Sequence, residues 1–214
     1  MEAELKEYYK TRAGEYEDIY AKPERQKDIQ ALSLFLKNNF IQKDVLEIAC
    51  GTGFWTQKYC TDAASVLGID YNQEVLQVAR GKELQNCNVE FIVDDAFRLS
   101  KVTEKANACY AGFWLSHIKK SDVNAFLRML HVNLEPGSLV IFADNLYVEG
   151  NSTPISSQDS DGNTYQVRTL KDGSQHEILK NFITEEEFHS MVSEVSKTVH
   201  YRKMEYFWYG WYEV

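Results

Sequence analysis

The sequence predicts an α/β fold: a doubly wound sheet of seven strands, mostly parallel with an antiparallel final strand, plus an N-terminal helical lid and an inserted β-hairpin. Two observations support this fold class. Between residues 44 and 145, short apolar runs alternate with helix-like segments, which is typical of consecutive strand–helix–strand units. After residue 198, aromatic and polar residues alternate, and this pattern favours two closing antiparallel strands.

The apolar runs define the elements of the predicted core. Five strands are expected, at 45–49, 65–69, 89–93, 108–113 and 139–143. Three helices are expected between them, at roughly 54–62, 73–85 and 121–134, and Pro136 with Gly137 forms the turn into the fifth strand. Ahead of the core, Pro23 suits the first turn of a helix that ends near Phe40.

Beyond Asp144 the alternation stops and a polar loop begins. A hairpin is expected at 165–170 and 175–179, around an Asp-Gly turn. Thr184 and Glu187 form a capping-box pattern for a helix that ends near Val195. We therefore interpret residues 1–214 as one domain in four parts: the lid and helices at 1–40, the core at 41–143, the loop and hairpin insertion at 144–182, and the final helix and strands at 183–214.

The composition narrows the classes of protein and partner. The net charge of −9 over 214 residues argues against a nucleic-acid partner, which normally requires a basic surface. The charged first residues do not resemble a secretory signal, and no segment is long and apolar enough to span a membrane, so we expect a cytoplasmic protein without a membrane partner. The four scattered cysteines suggest neither a zinc site nor a disulfide framework, and we expect reduced thiols.

A glycine turn follows the first strand and indicates a ligand site. Gly51 and Gly53 permit a tight turn and a close approach of the backbone to a ligand at the start of the next helix. A nicotinamide-binding turn would have the spacing G-x-G-x-x-G, but the third glycine position is occupied by Thr56. The spacing therefore differs from the dinucleotide fingerprint.

Acidic residues follow the next two strands. Asp70 ends the second strand, where a carboxylate can accept hydrogen bonds from both hydroxyl groups of a ribose. Asp94, Asp95 and Ala96 follow the third strand at the same edge of the sheet, and one of these aspartates could accept from an adenine amino group. Together they favour an adenosine-type cofactor.

With the glycine turn at 47–53, Asp70, the Asp94-Asp95-Ala96 segment and Pro136-Gly137, the chain resembles the class I S-adenosylmethionine-dependent methyltransferases over about residues 40–145. The resemblance implies a Rossmann-like fold and transfer of a methyl group from S-adenosylmethionine (SAM) to a small-molecule acceptor, with S-adenosylhomocysteine (SAH) as the product and no metal. It also implies a set of cofactor-binding residues: Glu47, Ala49, Gly51 and Gly53 around the methionine and ribose, Asp70 on the ribose, and Asp95 with Ala96 beside the adenine. Ala49 departs from the family, which usually has a glycine there.

The first residues are similar, more loosely, to the opening helix of small bacterial members of this family. By that similarity, Arg12 contacts the methionine carboxylate and Tyr16 covers the cofactor; an ordinary surface helix is the alternative. Trp55 either borders the site or packs its helix. Tyr71 and Phe113 complete the predicted cofactor set, as residues that follow the second and fourth strands.

His117 is the candidate catalytic residue, since it follows the fourth strand where family members place the substrate. An imidazole there could remove a proton from the attacking atom, or could simply hydrogen-bond the loop. The acidic and aromatic composition suits an amine or a flat aromatic acceptor. The candidate acceptor contacts are Asp144, Tyr147, Arg168 and His176.

Three other functions are consistent with the sequence. The same fold could transfer an aminopropyl group, although the acidic residues that a polyamine would need are not evident. The protein could instead bind SAM without turnover, as a partner or regulatory subunit. A nicotinamide-dependent oxidoreductase is the third alternative, and it would bind the dinucleotide in place of SAM.

Overall fold

A computed structural model describes residues 17–170 and 173–214 of the chain. The helices are α1 (Gln26–Asn39), α2 (Thr56–Tyr59), α3 (Gln73–Arg80), α4 (Val123–Val132) and α5 (Glu185–Val192). The strands are β1 (Asp44–Ile48), β2 (Ser65–Asp70), β3 (Val89–Val93), β4 (Ala106–Gly112), β5 (Leu134–Asn145), β6 (Ser157–Gln158), β7 (Thr164–Thr169), β8 (Gln175–Leu179), β9 (Val199–Lys203) and β10 (Phe207–Glu213).

Seven strands form the main sheet in the order β3-β2-β1-β4-β5-β10-β9. The pairs among the first five strands of this order are parallel, whereas β10 runs antiparallel to both β5 and β9. This confirms the predicted Rossmann-like doubly wound sheet with an antiparallel final strand. The strand order reverses between β1 and β4, and ligands of open α/β sheets bind beside such a switch point.

Both faces of the sheet are buried, which explains the continuous apolar runs of the parallel strands. In β1, Leu46 and Ile48 pack into the core on the side of α4, while Val45 packs into the core on the side of α1. Successive residues of a strand point to opposite faces of the sheet, so a strand that is buried on both faces needs apolar residues at consecutive positions.

Several element bounds differ from those expected. The first helix is preceded by a 3-10 turn at Pro23–Arg25, and α2 has only four residues. Strand β5 begins at Leu134, ahead of the Pro136-Gly137 pair, and its pairing with β4 is irregular there. The hairpin gains a third short strand, β6, beside β7. The capping box of Thr184 and Glu187 is confirmed at the start of α5.

The expectation of reduced thiols was wrong for one pair of cysteines. Cys60 and Cys87 form a disulfide between the end of α2 and the loop before β3, with their Cα atoms 5.4 Å apart. Cys50 and Cys109 are free and buried. The bonded cysteines are 27 residues apart in sequence and come together only in the folded protein, so their spacing does not indicate the disulfide. Among the residues that the structure describes, no helix is long and apolar enough to cross a bilayer.

Candidate active site

The carboxyl ends of the parallel strands meet around one narrow cavity, which we call the first cavity. Ala49 follows β1, Asp70 ends β2, Asp94 and Ala96 follow β3, and Phe113 follows β4; all five line this cavity. Its remaining lining residues are Ile69, Tyr71, Asn72, Val75, Trp114 and His117. The cavity therefore has apolar walls and a small number of polar groups, as ligand sites generally do.

The turn after β1 follows a left-handed backbone path. Ala49, Gly51 and Gly53 have φ values of 51°, 55° and 71°. A Cβ on Gly53 would lie 3.3 Å from both Ala79 and Phe91, so α3 and β3 leave little room for a side chain there. The absence of a side chain on Gly53 thus lets the turn pass close to α3 and β3. Neither glycine lines the first cavity, and their predicted approach to a ligand stays a prediction.

Asp70 connects this turn to the end of β2. Its Oδ2 accepts a hydrogen bond from the backbone N–H of Gly51 at 3.0 Å, and its Oδ1 accepts from the N–H of Asn72 at 2.9 Å. Burial raises the pKa of Asp70 to about 6, and the two backbone donors oppose that rise. The carboxylate therefore has a fixed orientation at the wall of the cavity.

Glu47 lies under the turn, away from the first cavity. Its Oε2 accepts from Thr56 Oγ1 at 2.6 Å and from Tyr59 Oη at 2.7 Å, and both donors belong to α2. The side chain is buried, and burial raises its pKa to about 7. Glu47 is not a lining residue of the first cavity, so its contacts in this structure hold α2 against β1.

The two aspartates after β3 occupy different positions. Asp94 lines the cavity, but its carboxylate accepts from the backbone N–H groups of Asp95 and Lys101, both at 2.8 Å, and from Ser100 Oγ at 3.0 Å. Asp95 is half-buried outside the lining residues, and its Oδ1 accepts from the N–H of Phe97 at 2.9 Å. Both carboxylates therefore accept from backbone N–H groups of the loop after β3, and of the two only Asp94 lines the cavity.

His117 ends a 3-10 turn after β4, at Leu115–His117, and it lines the first cavity together with a larger second cleft. Its Nδ1 lies 2.7 Å from the carbonyl oxygen of Leu179. Because a carbonyl only accepts, Nδ1 carries the proton and the lone pair of the neutral ring is on Nε2. Burial, followed by the nearby Lys180 charge, holds the pKa of His117 well below its usual value. The imidazole is therefore neutral near pH 7.

The second cleft has a volume of about 530 Å³ and lies between the start of the described chain, the end of β5 and the hairpin β7–β8. Phe113 and His117 line both this cleft and the first cavity. Its charged lining residues are Asp18, Lys22, Arg25, Arg168 and Lys180. Of the predicted acceptor contacts, Arg168 lines the cleft, whereas Asp144, Tyr147 and His176 do not.

Asp144 instead supports the floor of the second cleft. Its Oδ1 accepts from Lys180 Nζ at 2.8 Å, its Oδ2 accepts from the N–H of Ser116 at 3.0 Å, and Lys180 Nζ also donates to Ser116 Oγ at 2.6 Å. Burial lowers the pKa of Lys180, and the adjacent Asp144 carboxylate opposes this change. Although burial alone would raise the pKa of Asp144, the charge of Lys180 lowers it on balance. The buried pair holds the loop that carries His117 against β5 and β8.

An aromatic cluster borders the two cavities. Trp55 stacks on Phe113 with ring centroids 5.5 Å apart, and its Nε1 donates to Tyr20 Oη at 3.2 Å. Trp55 is buried behind Phe113 and is not a lining residue of either cavity. The packing role that was the alternative for Trp55 is therefore the one it has in this structure.

The described chain begins next to the glycine turn. Glu17 Oε1 accepts from Thr52 Oγ1 at 2.6 Å and from Lys82 Nζ at 2.7 Å. These contacts hold the start of the described chain, which belongs to the predicted lid, against the glycine turn and the loop after α3. Arg12 and Tyr16, the predicted cofactor contacts of that lid, lie outside the described residues.

Comparison with known proteins yields consistent matches. A family model described as a methyltransferase domain matches residues 45–137. Demethylmenaquinone methyltransferase of Staphylococcus saprophyticus is 27% identical over 116 residues, which cover 53% of this chain and 48% of that protein, so the match spans about half the length of this curated relative. Two solved structures of DhpI, one a complex with SAH and one with SAM and HEP, superpose with TM-scores of 0.78 and 0.79 at 26% identity. They cover 96% and 99% of this chain, and 92% and 98% of the DhpI chains.

Residues 45–137 match a methyltransferase domain, and the fold is that of the class I S-adenosylmethionine-dependent methyltransferases. The DhpI complexes identify SAM as the cofactor, as the resemblance predicted, and the lining of the first cavity suits the adenosine part of that molecule. The apolar residues Ile69, Val75 and Ala96 suit an adenine ring, and the fixed carboxylate of Asp70 suits a ribose. Within the described part of the chain, the buried Nε1 of Trp114 has no hydrogen-bond acceptor, which leaves one donor in a lining residue for a ligand.

Sequence reasoning missed several residues of this methyltransferase site. Asn72 and Val75 line the first cavity, and the position of Asn72 after a strand end could have indicated it. Arg25 and Lys180 line the second cleft, and no sequence signal indicates them. Both lie far from the motifs along the chain and approach the site only through folding.

Proposed function

We propose that this protein transfers the sulfonium methyl group of SAM to a small-molecule acceptor held in the second cleft. The single observation that carries this proposal is the position of Phe113 and His117, which line both the first cavity and the second cleft. Two ligands held in adjoining cavities can react in line without diffusing apart, and this alignment is the main source of rate in such a displacement.

The proposal assigns the cofactor to the first cavity. Asp70 would accept hydrogen bonds from the ribose hydroxyls, with its carboxylate already oriented by Gly51 and Asn72. Ala96 and Val75 would contact the adenine, and the half-buried Asp95 would accept from its amino group. When bound, SAM supplies an electrophilic methyl group on a positively charged sulfur. The lid residues Arg12 and Tyr16 remain predictions.

His117 is the proposed proton acceptor. A neutral imidazole with its lone pair on Nε2 can accept the proton that a hydroxyl or amine acceptor releases as it gains the methyl group. The low pKa of His117 keeps the ring neutral over the physiological range. Phe113 and the aromatic cluster behind it would exclude water from the junction.

Titration calorimetry with SAM and SAH, followed by an acceptor screen that detects SAH, tests this function. We expect both ligands to bind at about micromolar Kd, and Asp70→Asn to weaken both while retaining the fold by circular dichroism. Asp161→Asn, in an exposed loop outside both cavities, is the matched control. A folded protein that binds neither ligand would contradict the cofactor site. A protein that binds both but methylates nothing in a broad screen would instead support a non-catalytic SAM-binding role.

The cytoplasmic location expected from the sequence also stays a prediction. Cytosolic thiols are normally reduced, so the redox state of Cys60 and Cys87 in cells tests it directly.

A further inference from the structure

We propose that the methyl acceptor is an anion, with a carboxylate or phosphoryl oxyanion bound by Arg25 and Arg168 in the second cleft. This inference rests on the proposed function for the identity of the site, and it names the chemical class of the substrate. It differs from the expectation drawn from the acidic composition, which suits an amine.

Arg25 is almost fully buried in the wall of the cleft, with only 6% of its surface accessible. Its Nη1 donates to Asn145 Oδ1 at 3.2 Å and its Nη2 to Asn151 Oδ1 at 2.9 Å, and both acceptors are neutral amides. Within the described residues, its buried Nε has no acceptor. Burial lowers the pKa of Arg25, although the nearby Glu24 opposes this, so desolvation of the charge is not fully offset.

Arg168 repeats this arrangement on β7. Its Nη2 donates to the neutral amide of Gln166 at 3.0 Å, and its Nε is buried without an acceptor in the described part of the chain. Neither guanidinium forms an ion pair with a carboxylate among residues 17–170 and 173–214. Guanidinium groups bind carboxylate and phosphoryl oxygens through paired N–H donors, so two such groups in one cleft match an oxyanion.

The charges that line the second cleft argue against a positively charged acceptor. Lys22, Arg25, Arg168 and Lys180 face one acidic lining residue, Asp18, although the protein as a whole carries a net charge of −9. With Lys180 paired to Asp144, the two arginines and Lys22 outnumber Asp18 in the lining of the cleft. An ammonium group in this cleft would lie beside like charges, and leaving the buried Arg25 and the half-buried Arg168 without an anion would cost free energy.

The test measures anion binding separately from cofactor binding. Wild type, Arg168→Gln and Lys22→Gln are titrated by calorimetry with inorganic phosphate, propionate and ethylammonium at constant ionic strength, with and without saturating SAH. Arg128→Gln, an exposed arginine on α4 that lines neither cavity, is the matched control. The exposed Lys22 is included because its replacement does not disturb packing.

We expect wild type to bind phosphate or propionate but not ethylammonium. Arg168→Gln should weaken anion binding by about tenfold or more, Lys22→Gln by about twofold, and Arg128→Gln not at all. Phosphate alone or propionate alone would identify which oxyanion the cleft prefers. No anion binding by wild type, or equal binding by wild type and both cleft variants, would overturn the proposal. SAH binding in the same samples is an independent result: its loss contradicts the methyltransferase function, while the anion titration remains interpretable.

Discussion

His117 Nδ1 lies 2.7 Å from the backbone carbonyl oxygen of Leu179, the last residue of β8. This contact fixes both the tautomer and the orientation of the imidazole, because a carbonyl accepts only from a protonated nitrogen. The hairpin insertion that carries Leu179 thus orients a residue that follows β4. A part of the chain outside the methyltransferase core thereby determines how the candidate base is presented.

Replacing His117 tests this role directly. His117→Gln should lower kcat by about a hundredfold or more, since the lost proton acceptor is worth roughly that factor, while the Kd for SAM changes little. The pH profile of the wild type should stay flat from pH 7 upward and fall only well below pH 6.5, because the pKa of His117 is lowered. The exposed His200 on β9 provides the control variant His200→Gln. An unchanged kcat in His117→Gln would leave the residue with only a structural role.

Asp70 should make cofactor binding pH-dependent. With its pKa raised to about 6, the carboxylate is ionised above that pH and protonated below it. SAM affinity should therefore be constant above pH 7 and decrease below about pH 6, since a protonated acid is a poorer hydrogen-bond acceptor. Calorimetry across this range should show the decrease in wild type and its absence in Asp70→Asn, which binds weakly at every pH. A wild-type affinity independent of pH would contradict a ribose contact by the ionised form.

The local motifs and the assembled site differ in how far sequence alone predicts them. The positions of Gly51, in the turn after β1, and Asp70, at the end of β2, could be predicted from sequence. Both belong to one strand–helix–strand unit, in which about 20 residues separate the two strand ends. The interaction of Arg25 with Asn145 joins residues 120 positions apart, and nothing in either neighbourhood indicates it. The second cleft could not be predicted for this reason, because it is formed by long-range packing of the inserted hairpin and the start of the chain.

The conformation of Ala49 predicts an unusual response to substitution. Its φ of 51° is in the left-handed region, which costs a non-glycine residue about 1 kcal/mol or more. Ala49→Gly should remove this strain but increase the entropy of the unfolded chain, so the two effects nearly cancel and the free energy of unfolding changes by less than about 1 kcal/mol. Ala49→Val should destabilise the protein by about 2 kcal/mol or more, because a β-branched residue is strained further there.

Urea unfolding of these two variants checks the comparison, with Ala125→Gly and Ala125→Val at an exposed helical position as the matched pair. At that site both substitutions should lower the free energy of unfolding by similar amounts, since glycine and valine are each poorer helix formers than alanine. If Ala49→Gly destabilised the protein as strongly as Ala49→Val, backbone strain would not be the governing effect.

Glu47 should make the stability of the fold depend on pH. Its pKa is about 7 in the folded protein and near 4.5 in the unfolded chain, so between these values the folded state holds a proton that the unfolded state has lost. The free energy of unfolding therefore falls as pH rises from 4.5 to 7 and is constant above it, by an amount on the order of 3 kcal/mol. Glu47→Gln removes this dependence, since the amide is neutral and similar in shape to the protonated acid.

Urea unfolding of wild type and Glu47→Gln at several values between about pH 5 and pH 8 measures the effect. The stability difference between the two proteins isolates Glu47 from Asp70, whose pKa is also raised by burial and which remains in both. We expect the variant to gain stability relative to wild type as pH rises, because ionised Glu47 is buried with only the hydroxyls of Thr56 and Tyr59 as partners. A stability difference that is constant across this range would mean that Glu47 is ionised in the folded protein at every pH, and that the two hydroxyl donors offset its burial.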